Sequence, residues 1–146
     1  MKERIACSAC LLGYACKYDG GSNFDPEVVA FLRGREVIPV CPEILGGMPT
    51  PRIPAEILPD GTLRNRENLD VTAFFERGKN ATLAILREAG CDRIILKDGS
   101  PSCGTTYVYD GSFTHRPVPG MGVCARHLRD NGITIVDIHE KGQRLG

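Results

Sequence analysis

Three of the seven cysteines in this chain share a setting suited to metal chemistry. Cys10 lies in SACLLG, Cys41 in VCPEILGG and Cys103 in SPSCG. Each is a loop rich in glycine or proline, which lets backbone N–H groups approach a sulfur and whatever it binds. Glu43 stands two residues after Cys41, and Pro42 between them fixes φ, so the carboxylate is held near any ligand of that thiol. Ser100 and Ser102 flank Pro101 just ahead of Cys103; they serve either as hydroxyl donors beside a metal centre or as ordinary turn residues. The spacing, 31 residues from Cys10 to Cys41 and 62 from Cys41 to Cys103, is no compact ferredoxin pattern. On the residues alone, one shared metal or cluster site and three separate buried thiols stay equally open.

The other candidates carry blander readings. Cys7 and Cys10 form a C-x-x-C, the spacing of a thioredoxin-like redox pair or of half a zinc site. A thioredoxin motif opens a helix, whereas this one ends a strand, and no second C-x-x-C completes a zinc ribbon. Cys7 therefore reads as a core thiol. Cys16, in the polar stretch CKYDGG, stays open as a fourth ligand, a resolving thiol or a proton carrier. Cys91 and Cys124 read as packing thiols, and His115, His127 and His139, which fit no metal-ligand spacing, read as surface residues. Asp19 and Asp110 open Asp-Gly turns.

These residues need a frame that brings distant loops together. Arg4 to Ala9 reads as a strand, and Asp25 caps a helix that starts at Pro26 and ends at Gly34. Glu36 to Val40 is a second strand, followed by a long stiffened loop from Pro42 to Pro59, since prolines do not belong in a sheet interior. Asp70 or Thr72 starts a longer helix that Gly90 ends, and Arg93 to Lys97 is a third strand. TTYVYDGSF gives a hairpin signal at Asp110-Gly111, Val123 to Asp130 a last helix, and Ile133 to Ile138 a fourth strand. Strands alternating with helices predict an α/β fold: a three-layer, Rossmann-like domain with a mainly parallel sheet and a small β-hairpin excursion. In such sheets ligands bind at the carboxyl ends of the strands, and Cys10, Cys41 and Cys103 each follow one of the first three.

The 146 residues, 42% of them hydrophobic, are expected to form one domain over 1–146. No apolar run approaches the roughly 18 residues of a membrane span, so a soluble, cytoplasmic protein with no membrane partner is expected. Lys plus Arg and Asp plus Glu both total 18, which favours a small substrate over a polyanion. Arg52 and Lys97 can still form a local basic patch. An odd number of cysteines in a chain large enough to fold without staples argues for reduced thiols.

SACLLGYACKYDGG, VIPVCPEILGGMPTPRIPAEI, LKDGSPSCGTTYVYDGSF and GMGVCARHL together resemble the thiouracil desulfidase family, over nearly the whole chain. The resemblance implies a [4Fe-4S] cluster held by Cys10, Cys41 and Cys103, with one iron not bound by protein, and acid/base groups at Glu43 and Ser100. It implies an iron–sulfur-dependent enzyme that removes sulfur from a thiolated pyrimidine, turning thiouracil into uracil plus sulfide without net redox change. Cys7 departs from the family's motif, which does not need a C-x-x-C. The related branch that acts on thiolated transfer RNA joins this domain to a second one; since the sequence ends at Gly146, free thiouracil is the expected partner and 4-thiouridine in transfer RNA the alternative. A cluster or zinc carrier and a thiol–disulfide redox protein are the competing readings.

Overall fold

The computed structural model describes residues 3–138. Its strands are β1 (Arg4–Ser8), β2 (Glu36–Val40), β3 (Ala55–Ile57), β4 (Leu63–Asn65), β5 (Arg93–Ile95), β6 (Tyr107–Tyr109), β7 (Pro117–Pro119) and β8 (Thr134–Ile135). Its helices are α1 (Pro26–Leu32), α2 (Pro42–Leu45), α3 (Thr72–Glu88) and α4 (Val123–Asp130). The main sheet has the order β2-β1-β5-β8 with every pair parallel. β1 is central, and its residues 5–8 are all buried, as an apolar strand covered on both faces must be.

Alternation along the strands divides the core into two layers. Ile5, Cys7 and Ile95 pack on Val28 and Leu32 of α1, while Ala6 and Ile94 face Leu83 and Leu86 of α3 and Ala125 and Leu128 of α4. The chain leaves β1 through α1 to β2, then returns past β1 through α3 to β5. Right-handed crossovers in opposite directions require helices on opposite faces, which is the arrangement seen. The α/β, three-layer architecture expected from the sequence is present. The junction of β1 and β5, whose connections depart oppositely, is a topological switch point, where such sheets place ligands.

Local signals account for most boundaries. Asp25 Oδ1 accepts from the N–H groups of Glu27 (2.9 Å) and Val28 (3.3 Å), with Pro26 at the first helical position. α4 has the bounds its punctuation suggests.

The stretch from Pro42 to Pro59 differs from expectation: it holds α2 and β3, the first strand of the β3–β4 hairpin, not a continuous loop. Pro42 occupies the first turn of α2, where its missing N–H costs nothing, and Pro54 and Pro59 flank the hairpin strands without entering them. A second hairpin, β6–β7, occupies the place of the expected excursion, but its connection spans residues 110–116 instead of a tight Asp110-Gly111 turn. The last strand is reduced to Thr134–Ile135, β1 gives way to a 3-10 turn over Ala9–Leu12, and β5 stops at Ile95.

α2 is seated against α3 at Gly78, where an added Cβ would lie 2.0 Å from the Pro42 carbonyl oxygen. Only glycine permits that approach, and it places the residues after Cys41 over the end of the sheet. No helix among the described residues is long and apolar enough to cross a membrane.

Candidate functional site

A cavity of about 520 Å³ lies at the carboxyl ends of β1, β2 and β5, and its lining includes Cys10, Cys41, Cys103, Glu43 and Ser100. Cys10, Cys41, Cys103, Glu43 and Ser100 therefore converge, whereas Ser102, read with them as a hydroxyl donor, is buried behind the turn and does not line the cavity. Cys10 sits in the 3-10 turn, which closes as Gly13, at φ 101°, donates its N–H to the Cys10 carbonyl (3.2 Å). Cys41 is the N-cap residue of α2. Cys103 is held by a turn in which Ser100 Oγ accepts from the N–H groups of Ser102 (3.0 Å) and Cys103 (3.1 Å). The start of α4 supports that turn: Val123 N–H donates to Pro101 O, and Cys124 and Ala125 N–H donate to Ser102 O. Gly122 allows the approach, since a Cβ there would come within 2.4 Å of Ser102 O.

Asp98 staples the other end of the same loop. Its Oδ1 accepts from the N–H groups of Gly99 (2.9 Å), Thr105 (2.8 Å) and Thr106 (3.0 Å), and its Oδ2 from the Thr106 hydroxyl. Burial alone would raise its pKa, but the hydrogen bonds from Thr106, Thr105 and Gly99 outweigh it and hold the carboxyl below the usual carboxylate range. A depressed folded-state pKa stabilises the fold above the unfolded value, and that stability is lost as pH falls through the folded one. Asp98→Asn is accordingly expected to be less stable than the parent at pH 6. The gap should close as pH drops below the usual carboxylate range; urea midpoints measured from pH 6 to pH 2.5 check this, and a constant gap would contradict it.

Glu43 is held on both oxygens. Oε1 pairs with Arg52 Nε at 2.8 Å, and Oε2 accepts from Ser100 Oγ at 3.3 Å. The Ser100 hydroxyl has one proton and two lone pairs. Two backbone N–H groups occupy the lone pairs, so the proton is directed at Glu43. Arg52 also donates to the Cys16 carbonyl (3.0 Å) and to Thr50 Oγ1 (3.1 Å), tying Glu43 to the loop that carries Cys16. With two partners on a carboxylate that can accept about four hydrogen bonds, Glu43 keeps acceptor capacity for the cavity.

The thiols face one another electrostatically. Burial pushes Cys103 well above the ordinary thiol range, and the charges of Cys124, Glu43, Cys41 and Cys10 add to the effect. Burial likewise raises Cys10, opposed by a hydrogen bond from Asn23. Cys16 is pushed up to about 12 by burial, by the charges of Cys41 and Cys10 and by a hydrogen bond with Cys41. Among the described residues no three His, Cys, Asp or Glu side chains close tightly enough to hold one metal ion.

Cys7 is fully buried on the α1 side of β1, and burial first, with the charges of Cys10 and Asp25, raises it to about 12. A thiol so placed is a poor redox partner for Cys10. Cys91 and Cys124 lie in the other core layer and do not line the cavity, although Cys124 packs close behind Cys103. His127 is half-buried outside the cavity, His115 is exposed yet borders it, and His139 lies outside the described residues. Asp19 and Asp110 accept from the N–H groups two residues on, as turn residues do. Arg52 and Lys97 both reach the cavity but do not form a free basic patch: Arg52 is bound to Glu43, and Lys97 Nζ donates to the Asp98 carbonyl.

Sequence reasoning missed Asn23, Asp98 and the aromatic side of the cavity. Asp98-Gly99 has the form of a turn signal, and Tyr107 and Tyr109 have the alternation that puts two side chains on one strand face. Asn23 carries no signal of its own.

Comparison with known proteins places the chain in a family. The chain is similar to the Bacillus subtilis (strain 168) protein described as "Uncharacterized protein YbbK", with 34% identity over 145 residues, 93% of this chain and 96% of the relative. It is also similar to the solved structure of the [4Fe-4S]-dependent thiouracil desulfidase TudS, with a TM-score of 0.88 and 38% identity across 95% of this chain and 93% of that one. Residues 5–140 match the 2-thiouracil desulfurase family, and with these thiols and this carboxylate at one sheet edge the chain belongs to that family.

Proposed function

We propose that this chain is a [4Fe-4S]-dependent desulfidase that converts a free thiouracil to uracil and sulfide, with the cluster on Cys10, Cys41 and Cys103. The observation that carries the reading is the convergence of three thiols from three parallel strand ends on one cavity that also holds the Glu43–Ser100 pair. The donor set fits the cofactor. Several groups whose charged forms repel are gathered here, and that arrangement is stable either with protons on the sulfurs or with a cationic centre among them. Soft thiolates from three separate loops, with glycine- and proline-rich backbone around them, suit an iron–sulfur cluster. Cys16, a neighbour of Cys41, is not one of the three thiols that follow the strand ends and stands outside the proposed ligand set.

With three protein ligands, a bound cluster supplies an open Lewis-acid iron for the thiocarbonyl sulfur. The chain's own residues do the rest. Glu43 accepts a proton from a water at its free lone pairs, so that the water can attack the carbon bearing the sulfur. Arg52 fixes the carboxylate's direction, the Ser100 hydroxyl donates to Oε2, and Glu43 gives the proton it took from water back as the C–S bond breaks, so that the products are uracil and sulfide. Lys97 and Arg52 are engaged within the fold, and the formal charge is zero, so neither favours a transfer RNA backbone.

Purification without oxygen, followed by iron and sulfide analysis and incubation with 2-thiouracil, tests the reading. About four iron and four sulfide per chain, with sulfide released from the base, is expected. A loaded chain inert toward 2-thiouracil would instead be a cluster carrier. A colourless chain active on disulfides would be a redox protein.

A further inference from the structure

One side of the cavity is used neither by the thiols nor by Glu43. Tyr107 and Tyr109 alternate along β6, so both side chains leave the same face of the hairpin, and both line the cavity together with His115 from the β6–β7 connection. The rings form a series. Tyr107 and Tyr109 lie 6.0 Å apart with planes at 86°, and Tyr109 and His115 lie 5.7 Å apart at 89°. Each edge-to-face contact covers one ring face, so two contacts among three rings leave at least four of their six faces uncovered by the series.

The wall is braced. Glu56, a carboxylate only 7% exposed, accepts from the N–H groups of Gly111 (2.9 Å) and Phe113 (3.1 Å), pinning the connection to β3. Phe113 (φ 61°) and His115 (φ 58°) are both left-handed, an uncommon state for residues other than glycine that persists where surrounding contacts enforce it. The hydroxyl end of Tyr107 lies over Gly99, where an added Cβ would come within 2.6 Å of it, so the wall adjoins the turn that carries Ser100 and Cys103.

We propose that Tyr107, Tyr109 and His115 are specificity-determining residues: they form the surface on which the planar heterocycle stacks, so the site selects a ring-borne thiocarbonyl by its π face. The identity of that heterocycle rests on the desulfidase reading.

Uracil, which has the ring but no thiocarbonyl, separates stacking from chemistry. Titration calorimetry of uracil into the cluster-loaded parent and its Tyr109→Leu, Tyr109→Phe and His115→Ala variants, with iron per chain measured on each, is the test. Tyr109→Leu is expected to weaken uracil binding about tenfold, within the range for losing one base–aromatic stack. Tyr109→Phe keeps the ring and should stay within about twofold of the parent, and iron content should not change in any variant. His115→Ala, at an exposed position whose loss spares the core, should weaken binding in the same direction.

Uracil affinity unchanged in both Tyr109→Leu and His115→Ala would overturn the proposal, as would a loss in Tyr109→Phe equal to that in Tyr109→Leu, or a parent that binds no uracil. If the expected pattern appears but 2-thiouracil yields no sulfide, the wall stands and the desulfidase reading falls. If sulfide is released while both Tyr109→Leu and His115→Ala bind uracil as the parent does, the wall falls and the enzyme stands.

Discussion

Glu43→Gln is expected to retain its full iron content and lose about 100- to 10,000-fold in thiouracil turnover, the usual contribution of a positioned acid–base group. The substitution is informative because it changes so little else. Glutamine keeps a carbonyl oxygen that accepts from Arg52 Nε, where carboxylate Oε1 now sits at 2.8 Å, and it puts its amide NH2 in the place of Oε2, at the cost of the Ser100 Oγ contact alone. What it removes is the proton-accepting lone pair and the charge. Alanine would be a poorer test, since it strands the Arg52 guanidinium, whose side chain is 8% exposed, without its partner. Iron per chain and turnover measured on the same oxygen-free preparation check the prediction. Parent-rate turnover with a loaded cluster would reduce Glu43 to an anchor for Arg52 and shift the proton transfer to Ser100, Cys16 or a bound water.

Cys41→Ala is expected to fail one step earlier, at iron binding. Even hydrogen-bond partners of metal ligands cost about 10- to 100-fold in affinity when removed, so the loss of a ligand should exceed about 100-fold. Cys10→Ala and Cys103→Ala should behave alike. Cys16→Ala, Cys91→Ala and Cys124→Ala should keep their iron, because the first lies in contact with Cys41 outside the ligand set and the others pack in the core behind it. Iron and sulfide analysis of the six variants, with their absorption spectra, separates the two groups. A Cys41→Ala chain with full iron, or a Cys16→Ala chain without it, would redraw the ligand set.

Much of the frame is legible from residue order because helix ends here are marked by side chains that act locally. Asp25 before Pro26, and the Asn131-Gly132 stop after α4, need no knowledge of the tertiary structure. The segment from Pro42 to Asn65 is illegible for the opposite reason. Its elements are three or four residues long, too short for a period, and its prolines argue against regular structure while lying where they are tolerated.

The same contrast holds in the site. Three thiols that each follow a strand of a parallel sheet must share an edge, so Cys10, Cys41 and Cys103 could be grouped in advance. The grip of Arg52 on Glu43 and of Asn23 on Cys10 depends on how two irregular loops fold over that edge, which no spacing encodes. Tyr107 and Tyr109 were visible as strand residues, but which face of the hairpin meets the cavity is decided by the docking of β6 near β3.

The order of strands in the sheet has a consequence for how the chain matures. The three sulfurs lie at sequence separations of 31 and 62, and no two of them belong to one local turn. A newly made chain cannot gather them until β2, β1 and β5 have found their registers, and such distant parallel pairings form slowly. With the cluster on these three thiols, as proposed, a donor of iron and sulfide would meet them together only once the sheet has formed, at the cavity they line. A chain with a misregistered strand would then present two sulfurs of the proposed set instead of three, so cluster colour is expected to report which molecules folded correctly.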